Sequence, residues 1–271
     1  AGSDIPDVFT GEVAYVKQFI NAGYWANLSA APFNAGSLTG DLVKYAVDLG
    51  RDEDGNLRAM TWQACPGGLY YRRSIAKDVL GTDDPAEVSK WTNSLEKFYE
   101  LGAKVRDKYA GAKTLVAGYT DMFEFVGNLR DTPWIVDDKL VLDEDLIEYM
   151  RTAKKMRAEG IEGGVGTWSP PWFSSMADGS VMCYILPTWG LHYVLKPNAE
   201  PEANKGEAEW QGDWGLAEPP ASYHWGGTWA GINARSANKE LAWEFIKFIT
   251  TNEEFLATWA KTTGDFLGNI K

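Results

Sequence analysis

The chain has 271 residues, 45% of them hydrophobic and 24% charged, with 38 acidic against 26 basic side chains and a net charge of −12. That length admits two domains of ordinary size, and no apolar run approaches the roughly 18–20 residues needed to cross a bilayer. The acidic balance, with no basic stripe to offset it, argues against nucleic acid as a partner.

Cys65 and Cys183 lie far apart in sequence and, with only His192 and His224 beside them, make no metal-ligand spacing. The expectation is two free, partly buried thiols, no metal and no cofactor. The compositional outlier is aromatic: 13 Trp, 12 Tyr and 11 Phe. Core packing absorbs many aromatics in any protein, but a surplus of Trp also suits a cleft that grips something flat and uncharged.

In chain order, residues 5–29 read as a strand end followed by a helix, with Val13, Val16, Phe19 and Ile20 on one face and Gly23 placed to end it. Residues 29–50 are rich in loop formers. Residues 57–62 form a short apolar strand, broken by Pro66-Gly67-Gly68. Asp84-Pro85-Ala86-Glu87 marks a helix start, and Trp91, Leu95, Phe98, Val105 and Tyr109 carry its spacing onward to about residue 109.

A strand is predicted at 114–119 and a helix at 143–159, where Gly160 ends it. Residues 180–186, apolar on both faces, read as a central strand, and a further strand follows in 213–220. The last helix is expected from Ser236 or Asn238, with Leu241, Ala242, Phe245, Ile246 and Ile249 as its buried face. Strands alternate with helices, which argues for α/β layers.

Four Trp-bearing segments, MTWQACPGG, WSPPWF, LPTWG and YHWGGTWAG, stand at predicted strand ends or in Gly/Pro loops. Ligands of α/β proteins bind beyond the carboxyl ends of strands. Trp62, Trp189, Trp225 and Trp229 are therefore candidates for stacking on the apolar face of a sugar ring. Trp168 and Trp172, around Pro170-Pro171, are divided between cleft and core; Trp91, Trp243 and Trp259 lie on predicted helices and read as core.

Asp121, Glu124, Asp213, Glu218 and Asp265 could serve a glycosidase, but nothing in the spacing pairs two of them across a scissile bond. No nucleophile elbow, P-loop or dinucleotide turn is present. The residues thus leave three readings open: a sugar-binding protein without catalysis, a carbohydrate-active enzyme, and a lectin-like surface module.

The segments IPDVF, GLYYRRSIAKDVLG, FSSMADGSVM, LPTW and AGINARSANKELAWEFIKFIT resemble, in order and spacing, the extracellular solute-binding proteins (family 1, carbohydrate type) of ABC importers. The resemblance implies an α/β, two-lobed fold of the periplasmic-binding type II class. Lobe 1 would comprise 1–63 and 230–271 and lobe 2 residues 64–229, with hinge crossings near 63–68 and 226–230.

It implies an oligosaccharide held in the cleft between lobes by Trp62, Gln63, Tyr119, Asp121, Trp189, Trp225 and Trp229, with no catalytic residue. Pro187-Thr188-Trp189 stands where the family has a GPW-like motif. The implied partners are the sugar and the permease subunits of the importer. The implied setting is extracellular, as a monomer that is either periplasmic or anchored to the membrane by a lipid on a segment outside this chain. The family's greater length implies truncation at both ends, with lobe 1 incomplete.

Overall fold

The computed structural model describes residues 5–130, 132–200 and 212–271. Its strands are β1 (Val8–Glu12), β2 (Met60–Thr61), β3 (Gly67–Arg72), β4 (Thr114–Val116), β5 (Ile135–Val136), β6 (Lys139–Leu140), β7 (Val181–Pro187), β8 (Trp214–Ala217) and β9 (Thr228–Ile232). The chain divides into two compact units, one of Ala1–Cys65 with Gly226–Lys271 and one of Pro66–Trp225. The boundaries between them fall at 65/66 and 225/226.

The discontinuous unit is built on an antiparallel sheet in the order β1-β9-β2, with Val8 opposite Ile232 and Met60 opposite Ala230. The helix Val13–Asn21 follows β1 directly. Glu12 caps it by accepting the Ala14 N–H, and Gly23 at φ 72° supplies the left-handed turn after it. Leu28, Leu57, Met60, Ile232, Trp243 and Ile246 share one core, while Val16, Ile20, Trp25 and Trp229 share a second. Residues 29–50, read as loop, also contain a short helix at Lys44–Leu49.

The helix Lys239–Thr251 corrects its expected face. Ala242, Trp243, Ile246 and Thr250 are buried, whereas Leu241 is 74% exposed and Phe245 is also exposed. Positions 242, 246 and 250 form the i, i+4 stripe that meets the sheet, and 241 and 245 lie round the cylinder from it. A second helix, Glu253–Thr263, follows at once, capped by Asn252, whose side chain accepts the Phe255 N–H.

The continuous unit is a four-stranded sheet in the order β4-β7-β3-β8, in which β7 runs antiparallel to β3 and parallel to β4. All seven residues of β7 are buried, as a central strand requires. Alternation divides its two faces. Leu69, Tyr71, Cys183 and Ile185 enter one core with Phe98, Leu101 and Leu115; Tyr70, Tyr184 and Leu186 enter the other with Trp172 and Trp214.

The long helix expected over 85–109 is two helices, Pro85–Ser89 and Leu95–Lys108, preceded by a third, Arg73–Leu80. Ser94 breaks the run because its backbone is extended (φ −154°) and its side chain accepts the Lys97 N–H at 3.2 Å, starting a new helix. Trp91 in the break packs against the core with Lys104 above its ring. Cys65 and Cys183 are both buried free thiols, and burial pushes the Cys65 thiol up to about 12.

Candidate aromatic binding site

The continuous unit gathers a cluster of tryptophans at the C-terminal end of β7. Trp189 stands just past that strand, in the helical turn Thr188–Gly190, and its indole N–H donates to the Trp225 carbonyl at 2.8 Å. Trp168 lies nearly parallel to Trp189, with centroids 6.3 Å apart and planes at 12°. Trp225 is edge-on to both, 5.7 Å from each. Trp189 and Trp225 are half-buried and Trp168 is 45% exposed. Three indoles therefore share one partly open surface that can cover apolar C–H faces of a ligand.

Beneath them the packing continues inward. Trp172 lies 5.3 Å from Trp168, Tyr184 5.8 Å from Trp172, and Trp214 5.6 Å from Tyr184, with the Arg72 guanidinium 4.4 Å over the Trp214 ring. Arg72 also donates to the carbonyls of Val181 and Met176. The outer rings thus rest on a buried, hydrogen-bonded foundation.

Residues 163–168 run beside the extension of β4, where Gly163 and Val165 donate to the carbonyls of Val116 and Ala117. Gly118 makes this approach possible, because a Cβ there would stand 1.9 Å from the Val165 carbonyl oxygen. Immediately after Gly118 come Tyr119, 39% exposed with the Arg157 guanidinium 5.5 Å from its ring, and Asp121.

Asp121 is only 3% exposed. Its carboxylate accepts from Thr167 Oγ1 at 2.6 Å and from Trp172 Nε1 at 2.9 and 3.1 Å. Burial raises its pKa to about 6, against the lowering effect of these hydrogen bonds. The structure therefore places Tyr119 on the surface and Asp121 beneath it.

The other sequence candidates belong to the discontinuous unit. Trp62 lines an apolar groove of about 410 Å³ with Phe245, Phe248, Ile249, Phe255 and Trp259. Gln63 donates to Asp265 Oδ2 at 3.3 Å, which also accepts the Trp259 indole N–H at 2.8 Å. Trp229 is 1% exposed, and its indole N–H donates to the Ala46 carbonyl at 2.8 Å. Trp243 is buried as expected of a helix residue, whereas Trp259 is only half-buried at the groove.

Of the seven candidates, then, Trp189 and Trp225 come together, and Asp121 is linked to them from beneath through Thr167 and Trp172, while the Tyr119 ring lies beside Arg157. Trp168 and Trp172 are the rings that the sequence divides between cleft and core; Trp168 is exposed, whereas Trp172, 1% exposed, is core.

Among the described residues no group of His, Cys, Asp and Glu could hold a metal ion, and no helix is long and apolar enough to cross a membrane. Residues 1–268 match the model of the bacterial extracellular solute-binding proteins, and the chain belongs to that family. It is similar in fold to a solved extracellular solute-binding protein of family 1, at TM-score 0.85 and 19% identity. It is also similar to the GacH receptor of Streptomyces glaucescens, solved unliganded and with acarbose, at TM-score 0.74 and 20% identity.

A third similar structure is the ABC transporter associated binding protein of B. animalis subsp. lactis in complex with β-1,6-galactobiose, at TM-score 0.69 and 19% identity. The alignments cover 98%, 99% and 98% of this chain and 66%, 66% and 64% of those chains, in the same order. This chain therefore spans about two thirds of their length. These likenesses show the fold, that of the extracellular solute-binding proteins.

Proposed function

We propose that the protein binds a neutral oligosaccharide on the face formed by Trp168, Trp189 and Trp225, and delivers it to the permease of an ABC importer. The observation that carries this reading is the cluster of three partly exposed indoles at the end of β7, with Trp189 and Trp168 nearly parallel. Stacking contacts contribute about 0.5–1.5 kcal/mol each beyond area burial. Two or three of them with a few hydrogen bonds support micromolar affinity, about −8 kcal/mol.

Family membership and neighbours solved with acarbose and β-1,6-galactobiose support a sugar as the ligand. Tyr119 would border the face. In this reading the sugar is bound and released unchanged, outside the cell. The oxygens of Asp121 are engaged by Thr167 and Trp172.

Isothermal titration of the folded protein against acarbose, β-1,6-galactobiose and a panel of di- to tetrasaccharides tests the proposal. Binding of at least one, weakened in Trp189→Ala, is expected. No heat from any of them, with a folded protein, removes the sugar reading. Shortening of an oligosaccharide on long incubation would put an enzyme in its place.

A further inference from the structure

Trp168 holds φ at 67°, a left-handed conformation that a bulky residue adopts at a cost of order 1–3 kcal/mol and keeps only where its surroundings impose it. Its ring lies among Trp172, Phe173, Trp189 and Trp225, and the residues that flank it in sequence are tied by hydrogen bonds. On one side of Trp168, Thr167 Oγ1 lies 2.6 Å from Asp121 Oδ1, and on the other Trp172 Nε1 lies 2.9 Å from the same oxygen. An ionised carboxylate only accepts, so the Thr167 hydroxyl donates to it. The Thr120 hydroxyl, 2.8 Å away, then donates to Thr167 Oγ1, while its own oxygen receives the Thr167 N–H at 3.3 Å.

We infer that Asp121 is a positioning residue of the aromatic face: by clasping Thr167 and Trp172 it holds the Trp168 ring against Trp189 and Trp225 without touching the ligand. The inference deepens the sugar-binding reading and rests on it for its functional meaning. The clasp itself is a property of the ligand-free protein.

Protonation weakens the clasp, because a carboxylic acid gives up part of its accepting capacity and must find an acceptor for its own proton. Burial brings that event to about pH 6. The groups facing Asp121 do not titrate there. Tyr149 on the helix Glu144–Ala158, Tyr184 on β7 and Tyr223 all have phenols pushed above their ordinary range by burial.

The charges further out are Glu124 near Tyr223, Arg72 and Asp178 near Tyr184, and the Arg157–Glu162 pair beside residues 163–168. His224, whose pKa is lowered by burial, adjoins Trp225, which touches Trp168; any shift that His224 causes in the Trp168 line persists in Asp121→Asn and is separated from that of Asp121 in this way.

The test uses ligand-free protein labelled with 5-fluorotryptophan and followed by fluorine NMR from about pH 7.5 to about pH 5. The Trp168 line is assigned with Trp168→Phe. In the wild-type protein it should move with a midpoint near 6, and in Asp121→Asn it should sit elsewhere and stay flat. Thr167→Val, which removes one hydrogen bond to the carboxylate and leaves Asp121 in place, should displace the line and raise the midpoint. That variant carries the test if Asp121→Asn fails to fold.

A Trp168 line that does not titrate in the wild-type protein, or titrates alike in both, overturns the inference. Calorimetry with acarbose and β-1,6-galactobiose then separates it from the sugar reading. Affinity lowered several-fold in Asp121→Asn is expected, and equal affinity overturns a role in binding. Failure of every sugar in the wild-type protein removes the sugar reading while the NMR result still stands.

Discussion

Trp225 and Trp229 occur within one short segment, HWGGTWAG, yet they belong to different units and meet opposite fates. In the continuous unit Trp225 is half-buried and edge-on to two other indoles. In the discontinuous unit Trp229 is on β9, sealed among Val16, Ile20, Trp25, Ala46 and Ala59, with its N–H satisfied by a backbone carbonyl. The difference teaches that a tryptophan beside glycine marks a close approach of some kind, and that only the third dimension says whether the approach is to a ligand or to a core.

Truncating the two kinds of ring should separate them most clearly. Trp229→Ala leaves a large cavity beside Ala46 and should cost about 3–5 kcal/mol of stability, read as a lower midpoint in chemical denaturation. If it unfolds no more easily than wild type but loses ligand, the contrast between the two rings collapses.

The next largest effect is on pH dependence. The Asp121 carboxyl is raised from 3.8 to about 6 in the folded protein, so its favourable contribution is full below about pH 3.8 and is lost as the pH rises through about 6. The stability of wild type relative to Asp121→Asn should therefore increase by up to about 3 kcal/mol on going from about pH 7 to about pH 4. Denaturant titrations at several pH values measure this, and a difference that is flat with pH would remove Asp121 as a buried titrating group.

Gly118→Ala forces a methyl toward the Val165 carbonyl oxygen and should cost about 1–3 kcal/mol, read by thermal melting. Because residues 163–168 carry Trp168, it should also lower sugar affinity, unlike a purely remote destabilisation. The smallest effect belongs to Trp189→Ala. Its ring is partly exposed, so affinity should fall roughly tenfold, about 1.4 kcal/mol, with little change in melting temperature. Equal losses of stability and affinity there would show that Trp189 is core after all.

Much of the architecture was legible. The helix Val13–Asn21 with its glycine stop, the helix Glu144–Ala158, and the central strand β7 follow from local periodicity and caps, which one sequence displays. The break at Ser94 was less so, because the apolar spacing of Trp91, Leu95 and Phe98 continues across it while the capping hydrogen bond to Lys97 depends on one side-chain rotamer. The buried face of Lys239–Thr251 was misplaced for a related reason: several apolar stripes compete on that helix, and the sheet it meets chooses among them.

The aromatic surplus, the acidic balance and the ordered family segments were set by the sequence by itself, and they suffice to name the class of protein and the kind of ligand to test. Only the tertiary structure decided which rings assemble. Trp168 joins Trp189 and Trp225 because Gly118 admits residues 163–168 against the β4 extension and Asp121 clasps them from below. Those contacts join residues remote in sequence, and no local propensity encodes them.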